Sequence, residues 1–275
     1  MEFVDFRKHK RSGHLGLLFP GWEEGERVGF LSPHDDDALL GAGYLLQASI
    51  AAGGHPRILI LCKGDAGYSE PKKKGTLVAS RRKEALRAYG LLGVPPDHVR
   101  FFDVPDFSLM AYVNRDLGGR PGLFEDILRF QRENKISRMA FSSGYFEHWD
   151  HTAAYYIGRY SAPQAGDPIL ADLGAPFACR SFLSYSVWSE FAPLPEAAAG
   201  PRADLGVLAA PENEEAILRA IQEFSSQKSI IKEIVKHRRR RRSREGYLEL
   251  YQQAEVREPV DYKPYFDLLK KCRAA

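Results

Sequence analysis

Apolar runs of strand length alternate with helical patterns through the first 160 residues of the chain. The strand-length runs cover residues 27–32, 57–62, 98–102 and 137–141. The segments with apolar residues at helical spacing cover residues 37–52, 78–92, 123–134 and 151–160. Strands that alternate with helices in this way form βαβ units around a parallel sheet. The pattern therefore predicts an α/β fold with a mostly parallel sheet flanked by helices.

The remaining sequence is less regular. Residues 161–211 are rich in Pro, Gly and Ala, and the apolar runs within and near them predict strands at Phe182–Trp188 and Leu205–Ala209. Residues Glu212–Lys236 carry Ile, Phe and Val at helical spacing. That spacing predicts one long amphipathic helix.

The length and the cysteine content are typical of an intracellular globular protein. The chain has 275 residues and three cysteines, which lie far apart without a CxxC pair, so neither a disulfide framework nor a cysteine zinc finger organises the fold. No apolar stretch approaches the roughly 20 residues that span a bilayer, and no signal peptide is recognisable. We expect a soluble, cytoplasmic protein with a single domain over 1–275, built from a core at 27–160 and a C-terminal extension at 161–275.

The positive charge of the chain is concentrated in one run. The net charge is +3, and residues 236–244 contain seven Lys or Arg in nine positions, so the rest of the chain is acidic. Such a run is typical of a surface that binds nucleic acid or other anions, or of an exposed helix end where cations complement the dipole. The run lacks interleaved aromatic residues, so nucleic acid is not the expected partner. We expect Arg238–Arg242 to be peripheral to catalysis.

Two clusters of His and Asp follow predicted strands. Ser32-Pro33-His34-Asp35-Asp36-Asp37 comes directly after the first strand, and His148-Trp149-Asp150-His151 follows the fourth. Helix capping would explain one or two of the Asp residues, but not the histidines. Because parallel strands present their carboxyl ends at one edge of a sheet, both clusters should meet in one cleft. His and Asp are zinc ligands, so the two clusters predict a metal site.

These motifs and their order resemble those of the PIG-L/LmbE-like family of zinc-dependent N-acetylglucosaminyl deacetylases. The family's His-Pro-Asp-Asp-Glu motif corresponds to His34–Ala38, with Asp35 in place of Pro and Ala38 in place of Glu, and its His-x-Asp-His motif corresponds to His148–His151. Weaker similarity covers three further segments, which are Lys63–Gly67, Ser80–Ala85 and Phe224–Gln227.

The resemblance implies a Rossmann-like fold, one Zn²⁺ or another divalent metal per chain, and a residue for each catalytic role. It makes His34, Asp37 and His151 the metal ligands. It makes Asp36 the general base, and His148 the acid or the oxyanion-stabilising group. Substrate contacts are expected from Arg81 and Asp65.

The implied activity is hydrolysis of the N-acetyl group of an N-acetylglucosamine-type sugar or its conjugate, with a small-molecule amino sugar as partner. Two alternatives stay open. One is a metal-dependent hydrolase of another amide, and the other is a binder of nucleic acid or anions through residues 236–244. The sequence is also compatible with a homo-oligomer.

Overall fold

One sheet of nine strands, flanked by helices, organises the part of the chain that the structure describes. This computed structural model describes residues 1–145, 147–188, 191, 202–257 and 260–272. The strands are β1 (Glu2–Asp5), β2 (Lys10–Ser12), β3 (Arg27–Ser32), β4 (His55–Cys62), β5 (Val99–Val104), β6 (Arg138–Ser142), β7 (Ser181–Tyr185), β8 (Leu205–Ala209) and β9 (Tyr247–Gln253). The helices are α1 (Asp37–Ala51), α2 (Leu77–Leu91), α3 (Leu109–Tyr112), α4 (Phe124–Glu133), α5 (Trp149–Tyr156), α6 (Pro211–Gln222), α7 (Lys228–Arg238) and α8 (Lys263–Cys272).

The sheet has a parallel half and an antiparallel half. Its strand order is β2-β1-β8-β9-β7-β6-β3-β4-β5. The five strands from β7 to β5 are parallel, whereas β9, β8, β1 and β2 pair antiparallel. The predicted α/β fold is therefore confirmed. The expectation of a mostly parallel sheet holds for the half that carries β3 to β7. The antiparallel half was not expected, since the sequence pattern gave no sign of β1, β2 or β9.

The inner parallel strands β3, β4 and β6 are buried on both faces, which is why they read as continuous apolar runs. Alternate residues of a strand point to opposite faces of the sheet. In β4, Ile58 and Ile60 pack into the core that α1 and α6 cover. Leu59 and Leu61 pack into a second core with residues of α4 and α5. The protein thus has one core on each face of the sheet.

The chain reverses its direction of winding across the sheet at β3. The strand that follows β3 in the chain, β4, lies on one side of it, and β6 lies on the other. In open α/β sheets, ligands bind outside the carboxyl ends of the strands at such a switch point. Both His–Asp motifs leave the sheet there, since His34 follows β3 and His148 follows β6.

Two predicted helices differ from those in the structure. The single helix predicted for Glu212–Lys236 is wrong, because α6 ends at Gln222 and α7 begins at Lys228. Between them, the Ser225 hydroxyl and the Ser226 N–H and hydroxyl donate to Glu84 of α2. These tertiary hydrogen bonds hold the chain in a turn that helical periodicity alone does not reveal.

The helix predicted for residues 151–160 is also shorter in the structure. It begins earlier, at Trp149, and ends at Tyr156, where a π-helical turn over Ile157–Ser161 follows. No helix among the described residues is long and apolar enough to cross a membrane. Of the predicted C-terminal extension, residues 189–190, 192–201, 258–259 and 273–275 lie outside the described residues.

Candidate active site

The turn between β3 and α1 is fixed by hydrogen bonds within the first motif. The Ser32 hydroxyl accepts the Ala38 N–H at 2.9 Å and donates to the His34 carbonyl. The Asp37 carboxylate accepts the His34 N–H at 2.8 Å. These bonds hold the backbone so that the side chains of His34 and Asp37 converge.

His34, Asp37 and His151 meet at the switch point. The Asp37 Oδ2 atom lies 3.0 Å from His34 Nδ1 and 3.2 Å from His151 Nε2. One potential ligand atom from each of the three residues lies within 4.8 Å of the other two. The three residues that the resemblance implies as metal ligands are therefore neighbours.

The chemistry of this cluster fits a divalent metal. His151 Nε2 is buried, faces Asp37, and has no hydrogen bond of adequate geometry. A buried polar atom without a hydrogen bond is costly, and coordination of a cation would satisfy this one. Two imidazoles and one carboxylate are also a donor set of catalytic zinc sites, which leave a further position for water. Two other triads share His34, namely His34–His148–Asp150 and His34–Cys62–Asp106, but neither contains this unpartnered nitrogen.

Glu147 orients His151 and was missed in the sequence. Its Oε2 atom lies 2.6 Å from His151 Nδ1, and its Oε1 atom accepts the Ser186 hydroxyl and the N–H groups of Val187 and Trp188. A carboxylate on the far nitrogen fixes the tautomer of a metal-binding histidine. The signal was the acidic residue four positions before His151, directly preceding the second motif.

Asp150 is a second residue whose position the sequence did not indicate. Its carboxylate lies 3.3 Å from His34 Nε2 and accepts the N–H groups of Phe107 and Leu109. Burial would raise the pKa of Asp150, but the hydrogen bonds from His34 and Phe107 lower it. Asp150 therefore stays ionised and ties the loop after β5 to the first motif.

The electrostatics of the cluster keep protons on the histidines when no metal is present. Burial would lower the pKa of His151, but the charge of Asp37 raises it to about 9. Burial likewise opposes protonation of His34, whose hydrogen bonds to Asp150 and Asp37 raise its pKa well above the ordinary value. The pKa of Asp37 falls far below its usual range despite burial, because His151 lies beside it.

Asp36 points into the same cleft but has a different environment. Burial, and then the charges of Asp37 and Asp35, raise its pKa to about 7. Its Oδ1 atom lies 3.7 Å from Arg81 Nη2. A carboxylate with a pKa near neutrality is suited to accept a proton and release it again.

His148 caps α5 and lies beside the metal cluster. Its Nδ1 atom accepts the Asp150 N–H at 3.1 Å, so the neutral ring carries its proton on Nε2. Burial and the charge of His34 lower the pKa of His148. The ring is therefore a neutral hydrogen-bond donor, 5.4 Å from the ring of His34 between centroids.

Arg81 and Asp65, the two predicted substrate contacts, lie in different surroundings. Arg81 lines the cleft, but it is buried and its Nε and Nη2 atoms donate to Asp35. Asp65 accepts the Asp106 N–H and pairs with Lys63 at 3.0 Å. Asp65 is not among the residues that line the cleft. Their contact with substrate stays a prediction.

The expectation that residues 236–244 form an exposed helix end is wrong for two of their arginines. Arg238 is 2% exposed and pairs with Glu214, and Arg241 pairs with Glu249 at 2.7 Å. Both guanidinium groups also donate to the Leu40 carbonyl. The physical reason is a break in α1 at Ala42, which has non-helical φ and ψ of −134° and 26°, and which leaves backbone groups of α1 in need of partners.

Comparison with known proteins covers both the sequence and the fold. Residues 30–161 match the sequence model of the family described as "PIG-L: GlcNAc-PI de-N-acetylase". This stretch holds both His–Asp motifs and runs from β3 through α5. A sequence search among curated proteins gave no significant match.

Several solved structures share the fold at low sequence identity. N,N'-diacetylchitobiose deacetylase from Pyrococcus horikoshii is 18% identical with a TM-score of 0.66, over 88% of this chain and 87% of that one. The A40926 pseudoaglycone deacetylase Dbv21 is 18% identical with a TM-score of 0.61, over 87% and 100%. GalB from Pseudomonas putida KT2440, a 4-carboxy-2-hydroxymuconate hydratase, is 17% identical with a TM-score of 0.62, over 87% and 99%. At these identities the likeness establishes the fold, and that fold carries more than one reaction.

Proposed function

We propose that this chain, whose residues 30–161 match the sequence model of the PIG-L de-N-acetylase family, is a metal-dependent hydrolase that removes the N-acetyl group from an N-acetylglucosamine-type sugar or its conjugate. The deacetylases among its structural neighbours support the reaction class. The three cysteines are free thiols, which supports a reducing, cytoplasmic location.

One observation of the site carries the proposal. The buried and unpartnered Nε2 of His151 faces Asp37 beside His34, and Asp36 and His148 line the same cleft. A metal position, a base and a neutral donor therefore share one cleft of about 500 Å³. Hydrolysis of an amide by activated water needs these three functions.

We assign the metal-binding role to His34, Asp37 and His151, and Zn²⁺ is the ion that this donor set favours. When bound, such an ion supplies Lewis acidity to the acetamide carbonyl and lowers the pKa of a water molecule. Glu147 acts behind His151, because its carboxylate holds the Nδ1 proton and leaves Nε2 free to coordinate.

The remaining steps belong to Asp36 and His148. The Asp36 carboxylate takes a proton from the attacking water as the oxygen bonds to the acetyl carbon. His148 donates its Nε2–H to the oxygen that becomes negative. When the carbon–nitrogen bond breaks, the proton held by Asp36 passes to the leaving amine. Acetate and the free amino sugar are the products.

The decisive experiment measures acetate release and metal content for matched carboxylate variants. Asp36→Asn should retain the metal, because it leaves all three ligands, and lose about 10²- to 10⁴-fold in kcat, the usual contribution of a positioned base. Asp37→Ala should lose the metal itself. Asp103→Asn is the control, since Asp103 is a surface carboxylate paired with Arg82 outside the cleft.

The assignment of roles has a clear point of failure. If Asp36→Asn lost the metal while Asp37→Ala kept it, the two adjacent carboxylates would have to exchange roles. Asp35→Asn belongs in the same series, because a loss of kcat there as large as that of Asp36→Asn would make Asp35 a base. If metal-loaded wild-type protein released acetate only from amides that carry no sugar, the alternative of a hydrolase for another amide would be favoured.

A further inference from the structure

The guanidinium of Arg81 is already occupied. Arg81 Nε lies 3.0 Å from Asp35 Oδ1 and 2.9 Å from Oδ2, and Nη2 also donates to Oδ1. This is the edge of the guanidinium that binds a carboxylate or a phosphate with two parallel hydrogen bonds. Both side chains are buried, and only Arg81 of the two lines the cleft, so Asp35 holds the guanidinium from beneath the cleft wall.

The loop after β4 closes over the same guanidinium. A Cβ atom at Gly64 would lie 2.6 Å from Arg81 Nε, and one at Gly67 would lie 2.7 Å from Nη1. Only glycine allows the backbone to approach this closely, and Gly64 also has a φ of +73°. Gln227 also packs against Gly67 and donates to its carbonyl at 3.0 Å. The guanidinium is thus enclosed by Asp35 below and by glycine backbone above.

The charge of the cleft is negative without Arg81. Among the described residues that line it, Arg81 is the guanidinium, and it is matched by Asp35. The lining carboxylates are Asp36, Asp37, Asp106 and Glu147. A bound divalent ion would replace the protons on His34 and His151 and would offset two of these four negative charges. A phosphate or carboxylate on the substrate would still face a negative wall, and like charges brought together in this way oppose binding.

The mouth of the cleft is apolar instead. Three of its lining side chains are large, apolar and exposed, namely Phe107 at 65%, Trp188 at 48% and Ile230 at 41%. Phe107 also holds a φ of +64°, which is rare for a bulky residue, and its ring lies 4.4 Å from that of His148 between centroids. Covering these side chains with an apolar group would remove them from water.

We propose that Asp35 sets the substrate class of this site: by pairing with Arg81 it closes the one arginine of the described cleft lining to anions, so that the enzyme acts on neutral amino-sugar conjugates with an apolar substituent. The inference rests on the proposed function, since it names the substrate of that same site. Asp35 stands where the PIG-L motif has proline, a residue that could not neutralise an arginine.

The test compares a neutral and an anionic conjugate of the same sugar. The substrates are phenyl N-acetyl-α-glucosaminide and N-acetylglucosamine 1-phosphate, assayed by acetate release. Wild-type enzyme should favour the phenyl glycoside in kcat/KM by about tenfold or more, the effect of one modest electrostatic interaction. Asp35→Asn removes the charge that neutralises Arg81, so the preference should narrow by about tenfold, mainly through a lower KM for the phosphate.

The matched control is Glu223→Gln, which removes a carboxylate from an exposed pair with Arg87, and it should leave the preference unchanged. Calorimetric binding of both conjugates to wild type and to Asp35→Asn gives the same comparison without chemistry. If the phenyl glycoside bound more tightly but released no acetate, the proposed function would fail, while the exclusion of anions by Asp35 would stand.

Two results would overturn the inference. One is wild-type protein that prefers the 1-phosphate in binding and in kcat/KM. The other is a folded Asp35→Asn variant, with full metal content, whose preference equals that of wild type. Because the first result needs no variant, the inference stays testable even if Asp35→Asn fails to fold.

Discussion

Two clusters of buried charge, one in each half of the sheet, are used in opposite ways. At the carboxyl ends of the parallel strands β3 and β6, the charges converge on one point and leave a nitrogen of His151 without a hydrogen bond. In the antiparallel half, buried charges pair with one another, as Arg238 does with Glu214 and Arg241 with Glu249. The first arrangement leaves a group available for a ligand. The second satisfies its members and holds elements together.

The paired charges of the antiparallel half also reach into the other half. Glu249 of β9 accepts the Tyr44 N–H at 2.9 Å, and Arg238 donates to the Leu40 carbonyl at 2.7 Å. Both backbone groups flank the break in α1, the helix that begins at Asp37. Buried ionic groups are weak evidence for stability in themselves, but here they supply partners for backbone groups that a broken helix cannot satisfy.

The largest expected effect separates two neighbouring arginines of the run. Arg238→Gln should lower the free energy of unfolding by about 3–5 kcal/mol, because it leaves Glu214 as an uncompensated buried charge. Arg239→Gln, at an exposed position, should change it by less than about 0.5 kcal/mol. Urea unfolding of both variants checks the difference. Equal values would mean that the run is a surface feature after all.

The next effect tests whether the Glu147 carboxylate supports metal binding rather than the stability of the fold. In Glu147→Gln the side-chain oxygen can still accept the N–H groups of Val187 and Trp188. The new amide would donate to His151 Nδ1 and move the ring proton to Nε2, which cannot then coordinate. Metal affinity should fall about 10- to 100-fold, measured by competition with a chelator. The same result in Glu223→Gln would remove the specific role of Glu147.

The smallest effect concerns protons. Because Asp37 raises the pKa of His151 to about 9 when no metal is bound, a metal must displace this proton at pH 7.5. For every proton that the metal displaces, the metal affinity should therefore fall about tenfold with each pH unit below 9. Calorimetry in buffers of different ionisation enthalpy counts the released protons. Metal uptake without proton release at pH 7.5 would contradict the protonated state of the histidines.

The same contrast explains how much the sequence revealed. Strands β3 to β6 and helices α1, α2 and α4 could be predicted because apolar periodicity reports burial directly. The grouping of His34 with His151 followed from the rule that parallel strands end at one edge. Their roles, like that of Asp36, stay predictions that the geometry supports. The single-domain organisation also stays a prediction.

Tertiary pairing was what the sequence could not show. Seven basic residues in nine positions have the same appearance whether they face water or a buried Glu214 from another helix. The two serines before Gln227 gave no sign that Glu84, more than 100 residues earlier, would accept hydrogen bonds from their hydroxyl groups. Nothing in the sequence indicated that Asp35 would accept hydrogen bonds from Arg81. In each case the partner lies far away in the chain, beyond the reach of any periodicity.

The break in α1 limits how this protein can be cut and recombined. A fragment covering residues 30–161 would carry both His–Asp motifs, yet it would lack Glu214, Arg238 and Glu249. The carbonyl of Leu40 and the N–H of Tyr44 would then lose their partners within two turns of Asp37. A chimera that borrows the active site should therefore transplant α6, α7 and β9 together with it, even though these elements contain no ligand of the metal.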